Sequence, residues 1–106
     1  MKVYTITPAG IKHREKCERS QADKGYEYRM TQDYDFHPDT MSQELLWKLQ
    51  DGQQPLTEEK LITGYFAYIQ SEYGNGEVPY STLKEHLDTL EVNEYVTVKE
   101  DISYAR

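Results

Sequence analysis

The chain has 106 residues, with 12 Lys plus Arg against 19 Asp plus Glu and a formal charge of −7 at neutral pH. Apolar residues at 37% and charged residues at 29% can close one modest core, which excludes a multidomain enzyme or a large internal cavity. No stretch approaches the roughly 18 consecutive apolar residues of a membrane span, and Met1-Lys2-Val3-Tyr4 lacks the apolar run of a signal peptide. The expectation is a soluble, cytoplasmic protein with no membrane partner.

Cys17 is the single cysteine, so neither an intramolecular disulfide, a Cys-x-x-Cys pair nor a zinc ribbon can form. Ten Tyr with two Phe and one Trp supply aromatic area that keeps a polar tip, suited to a thin core or to an interface. Charge is unevenly spread. Residues 1–30 carry seven Lys/Arg and four Asp/Glu, a balance of +3, and the remainder carries five against fifteen, a balance of −10. An acidic body repels nucleic acid, so DNA binding would be confined to a basic face and depend steeply on salt. Ordinary solubilising charge is the alternative.

In chain order, Val3 to Thr7 reads as a strand leading straight into a helix, with Thr7 as N-cap and Pro8 at the first helical position. Ile6 and Ile11 have the spacing of a hydrophobic staple, and Gly10 weakens the helix only slightly. From Lys12 to Lys24 the only apolar residues are Cys17 and Ala22, which predicts an exposed or frayed helix carrying Lys12, Arg14, Lys16 and Arg19. Tyr26, Tyr28, Met30, Tyr34 and Phe36 recur at period two, which predicts a strand over 26–31. Thr40-x-x-Gln43 is a capping-box pattern, and Met41, Leu45, Leu46 and Leu49 form a helical stripe flanked by Trp47, giving a helix over 41–50 stopped by Gly52.

Thr57 caps the next helix, with Leu56 and Leu61 as its staple and Glu58 and Glu59 in the favourable first turn. Its stripe, Ile62, Phe66, Ile69 and Tyr73 widened by Leu61 and Tyr65, extends the helix to 73, where Gly74-Asn75-Gly76 ends it. Thr82-x-x-Glu85 is a second capping box, opening a short helix whose buried edge is Leu83, Leu87 and Leu90. Val96 and Val98 alternate with Thr97 and Lys99 in a strand, and Glu100-Asp101 turns toward a further strand at 102–104. Whether the opening strand pairs with Val96 and Val98 or with Tyr26 to Met30 is left open by the pattern.

The order helix, helix, helix, strand, turn, strand resembles a winged helix-turn-helix, in which a short helix enters the major groove and the hairpin after it touches the backbone. Residues 80–99, with small polar residues, leucines at this spacing and a strand that starts on Tyr95, are similar to the third helix and first wing strand. Val3 to Ile11 is similar to the second wing strand and the helix that follows it. That phrase opens the chain here, so either the order is permuted or the N-terminal match is coincidental. The resemblance implies one α+β domain with a three-helix core and a small antiparallel sheet or wing, residues 40–104 forming the core and 1–36 an N-terminal extension.

It also implies a DNA-binding transcriptional regulator that binds double-stranded DNA as a dimer, through its Tyr-rich strands or its long middle helix. Ser81, Thr82, Lys84 and His86 would reach base edges, with Lys99 in the wing. Lys12, Arg14, Lys16 and Arg19 would hold phosphates without reading sequence. Against this, Glu85, Asp88 and Glu91 lie on the same short helix, and Lys84 with Asp88 has the spacing of a surface ion pair. The rival reading is a protein-interaction module on the same scaffold, with Tyr26, Tyr28 and Tyr34 as its interface.

Other chemistry is weakly signalled. His13 and Cys17 at i, i+4 make only half a metal site, and Asp33, Asp35, His37 and Asp39 lack the glycine and terminal Glu of a Ca²⁺ loop. Ser81, His86 and Asp88 share one helix and do not converge as a triad. No catalytic constellation, metal or cofactor is expected.

Overall fold

The computed structural model describes residues 2–31, 34, 37–52, 55–71 and 78–100. β1 (Lys2–Ile6) is followed by α1 (Pro8–Asp23), the short α2 (Tyr26–Arg29) and α3 (Pro38–Gly52). Then come β2 (Leu56–Thr57), α4 (Glu58–Ser71), α5 (Tyr80–Val92) and β3 (Val96–Glu100). The architecture is α+β. The strands form an antiparallel sheet in the order β2-β1-β3, so the opening strand is central.

Register follows from the period of two. β1 meets β3 with Tyr4 opposite Val98 and Ile6 opposite Val96, and meets β2 with Tyr4 opposite Leu56. These five apolar side chains therefore lie on one face, and all join the helical core. Met41, Leu45, Leu46 and Leu49 of α3, Leu61, Ile62 and Tyr65 of α4, and Leu83, Leu87 and Leu90 of α5 complete that core with Val78. Tyr4 is its centre, 1% exposed, with a phenol beside Glu58, Asp88 and Glu91. Burial first, and then those carboxylates, push its ionisation well above the ordinary tyrosine range.

The expected caps hold at two helices. Thr7 Oγ1 accepts from Gly10 N at 3.0 Å with Pro8 behind it, and Thr57 Oγ1 accepts from Lys60 N at 3.2 Å. The two capping boxes do not form, because both helices begin earlier. α3 starts at Pro38, where the His37 carbonyl accepts from Thr40 N and Met41 N and the His37 ring accepts from Asp39 N at 3.1 Å. Thr40 is then inside the helix, fully buried, with its hydroxyl unpartnered. α5 starts at Tyr80 on Pro79, whose carbonyl accepts from Thr82 N and Leu83 N, so Thr82 is likewise an internal residue.

Two further expectations are corrected. The strand over 26–31 is instead α2, entered through Gly25 at φ 86° and closed by turn bonds from Met30 N to Glu27 O and Thr31 N to Tyr28 O. Tyr26 and Tyr28 join none of the three strands of the sheet. The second correction is α1, which is not frayed. Gly10, Arg14, Cys17 and Gln21, spaced by four, three and four residues, form one buried stripe, of which Gly10 meets Tyr95 and the other three face α3 and its entry. The stripe is polar, which is why hydrophobic periodicity does not reveal it. The expected strand at 102–104, the glycine stop at 74–76 and the far end of the α4 stripe lie outside the described residues.

One close approach ties these parts together. Thr7 N donates to Tyr95 O at 3.0 Å and Thr7 Oγ1 to Glu94 O at 2.7 Å, so the start of α1 is clasped to the turn between α5 and β3. Glu94 sits at φ 62° to make that turn. A Cβ at Gly10 would overlap the Tyr95 carbonyl oxygen and crowd Ile6. Gly10→Ala is therefore expected to destabilise the fold by about 2–3 kcal/mol, read as a lower urea midpoint, although alanine favours a helix in isolation.

Candidate nucleic-acid interface

The four cations of the first helix do not share a face. Lys12, Lys16 and Arg19, at i, i+4 and i+7, are exposed, whereas Arg14 lies on the opposite side and is 7% exposed. Its Nε donates to Gln50 Oε1 at 2.6 Å and its Nη1 to Glu18 Oε2 at 3.1 Å. The guanidinium also lies 5.2 Å from the Trp47 ring centroid. Arg14 is thus engaged within the α1–α3 contact, at a hollow it shares with Glu18, Gln43, Glu44 and Trp47.

Lys12 and Lys16 line a second, shallower hollow of about 310 Å³ with Ala9, His13 and Tyr95. Its wall is the His13 ring stacked on Tyr95, centroids 4.1 Å apart and planes within 8°. Burial lowers the His13 pKa, and nearby Lys16 adds to that while Asp39 opposes it.

On α5, Ser81 and Lys84 face outward beside Tyr80, Glu85 and Asp88, and Thr82 is half-buried. His86 turns toward α3 and shares a 2.7 Å hydrogen bond with Ser42 Oγ. Burial, with a smaller repulsion from His13, takes its pKa down to about 4 against a small opposing pull from Asp39. It is held neutral and half-buried against α3. Lys99 is exposed on β3 opposite Val3, with Lys2 one register step away across from Glu100. The exposed lysines thus fall in separate places: beside Tyr95, where β3 begins, along α5, and at the far end of β3.

Of the three tyrosines proposed as an interface, Tyr34 is 3% exposed and packs edge-on to Tyr28 at 5.8 Å, Tyr28 is half-buried, and the side chain of Tyr26 is outside the description. They do not present an open stripe through Tyr34.

Between α1 and α3 runs a polar seam that brings the His13–Cys17 pair against His37 and Asp39. Cys17 Sγ lies 3.5 Å from His13 Nε2 and 3.8 Å from Asp39 Oδ1, and Ser20 Oγ donates to Asp39 Oδ2 at 3.2 Å. His37 Nε2 is 3.2 Å from Lys24 Nζ. Burial, reinforced by Asp39, raises the Cys17 pKa to about 11, so the thiol stays protonated at neutral pH and is a poor nucleophile. Among the described residues no three His, Cys, Asp or Glu converge in a way that could hold a metal. No helix among them is long and apolar enough to cross a membrane. In comparisons with known proteins, no family model matches the chain, and no curated protein or solved structure matches it either.

Sequence spacing alone separates Arg14 from Lys12, Lys16 and Arg19, since two helical residues turn through about 200°. The pairing of His86 with Ser42, 44 residues apart, leaves no local signal. Arg14→Ala is expected to cost about 2 kcal/mol through lost packing and hydrogen bonds and to alter Trp47 fluorescence, both measurable in one urea titration. The depressed pKa of His86 means that the unfolded chain binds more protons between pH 6.5 and about 4. Stability should fall across that window by roughly 2–3 kcal/mol from this group, with no further contribution below it. A His86→Gln variant measured by urea unfolding at each pH should show a correspondingly flatter acid limb.

Proposed function

We propose that this chain is a DNA-binding domain of winged-helix type in permuted strand order, with α5 as the element that approaches the major groove. The observation that supports it is the position of β1. The described series α3, β2, α4, α5, β3 ends on one wing strand, and β1 pairs antiparallel with β3 over five residues, from Lys2 opposite Glu100 to Ile6 opposite Val96. It supplies from the N-terminus the strand that would follow β3 in an unpermuted chain. Ser81 and Lys84 on the outer face of α5 are the groups available to base edges and phosphates, and Lys2 and Lys99 stand at the end of the sheet where the wing would turn. Arg14 and His86 have no part in this role, being engaged with Gln50 and Ser42.

A second reading is favoured by the acidic residues on the same helix. Glu85, Asp88 and Glu91 are exposed alongside Lys84, a face suited to a basic protein partner. The two readings separate in one titration. Fluorescence anisotropy of random-sequence duplex DNA at low salt should show binding that weakens linearly in log affinity against log salt. Lys84→Glu with Lys99→Glu should weaken it about ten-fold or more, while each variant keeps the parent melting temperature. Absence of binding at low salt would reject the DNA reading in favour of the protein-partner one.

A further inference from the structure

α1 is attached to the molecule differently from the other long helices. It packs chiefly on α3, and among the described residues none of its side chains belongs to the apolar core beneath the sheet. The α1–α3 seam is closed by polar contacts: Arg14 to Gln50, Cys17 and Ser20 to Asp39, and Gln21 and Lys24 to the His37 ring. Parting α1 from α3 therefore leaves the packing of α3, α4, α5 and the sheet on one another in place. The start of α1 is pinned elsewhere, by Thr7 to Glu94 and Tyr95, which makes that clasp the hinge.

All three histidines of the chain lie at this junction. His13 stands on α1, its Nε2 3.5 Å from Cys17 Sγ and its ring stacked on Tyr95. His86 reaches from α5 to Ser42 Oγ on α3 at 2.7 Å, near enough to His13 for the two to repel when charged. His37 stands at the entry to α3, its Nδ1 3.9 Å from Asp39 Oδ2 and its Nε2 beside Lys24. Lys16 faces His13 from α1 itself. Among the described residues the carboxylate facing both His13 and His86 is that of Asp39, already engaged by Ser20 and Cys17.

Burial lowers the pKa of both His13 and His86; Lys16 adds to this at the first and His13 at the second, while Asp39 opposes it at each. When α1 lifts, it carries His13 into water, takes it away from His86, and opens the side of α3 on which Ser42 follows Asp39 by one turn. The open form therefore binds protons more readily than the closed one. The closed seam has its full stability above the ordinary histidine pKa of 6.5 and loses it as pH falls from there toward the lowered values.

We propose that α1 is an acid-released helix: protonation of His13 and His86 parts the α1–α3 seam, α1 swings out about the Thr7–Tyr95 clasp, and the face of α3 carrying Asp39, Ser42 and Gln50 is uncovered while the apolar core stays folded. The device is independent of how α5 is used.

The test follows Cys17, 2% exposed in the closed seam, with 4,4′-dithiodipyridine, which reacts with thiols in mild acid. The rate at each pH is divided by that of the urea-unfolded chain at the same pH. Between about pH 7.5 and 5 this ratio should rise about ten-fold or more. Hydrogen exchange on the same samples should show residues 13–22 losing protection at the lower pH while Leu83 to Leu90 of α5 keep theirs. His13→Gln with His86→Gln should flatten the rise, and Asp39→Asn, which removes the opposing charge, should enlarge it, whatever either does to the rate at neutral pH. No rise, a rise retained by the double variant, or joint loss of protection in α1 and α5 would each overturn the device. Should the double variant not fold at neutral pH, Asp39→Asn decides alone, and a rise no larger than the parent's overturns the proposal.

Discussion

The contact on which the rest of this structure depends is the approach of Gly10 to the Tyr95 carbonyl. Only a residue without a Cβ lets the first turn of α1 come that close, and Thr7 then bonds to both Glu94 and Tyr95. This clasp joins the two ends of the described chain, which lie almost ninety residues apart in sequence. It sets Ile6 opposite Val96, and with that pair every later residue of the β1–β3 ladder. It also aims α1 along α3 and brings His13 onto the face of Tyr95.

From that starting point the molecule has two interiors of different character. Beneath the sheet, Tyr4, Leu46, Leu83 and Leu87 exclude water in the ordinary apolar way. Between α1 and α3 the contact is made by Arg14, Cys17 and Gln21, with Gln50, Asp39 and His37 answering from α3 and its entry. An apolar seam tolerates sliding, because one aliphatic contact replaces another. Here a slip of one turn would separate Arg14 from Gln50 and Cys17 from Asp39, leaving buried polar groups unpaired. Gln21 Oε1 and Thr40 Oγ1 are already buried without partners, so the seam is closed tightly at a cost in hydrogen bonding.

The same seam sorts the charges. It removes Arg14 from the surface and leaves Lys12 and Lys16 outside at Tyr95, while His86 is half-buried against Ser42. Positive charge that looks like one N-terminal block in sequence is divided in space between a structural guanidinium and separate exposed lysines. The acidic balance of the remainder means that any polyanion would have to meet these lysines locally, since the general field opposes it. Binding on those terms is short-range and easily screened. It suits contacts at a helix face more than a continuous electrostatic track.

The helices of the core were legible in sequence because their apolar stripes repeat at the period of a helix: Met41 to Leu49, Leu61 to Tyr65, and Leu83 to Leu90 each bury a face that nothing but packing requires. The caps at Thr7 and Thr57 were legible for the same local reason, a side-chain oxygen within reach of an N–H three residues on. Local pattern failed where a competing group was out of its view. The Thr40 and Thr82 boxes lost to His37 and Pro79, and the alternating tyrosines at 26–30 form a short helix entered through Gly25. The sequence by itself determined the α+β class, the core helices and the alternation that gives β1 and β3 one apolar face each. Only the tertiary structure decided that β1 lies between β2 and β3, that Arg14 is buried and His86 is turned toward Ser42, and that His13 meets Tyr95. Those outcomes depend on polar contacts between residues tens of positions apart, which carry no period and therefore leave no trace in the order of the residues.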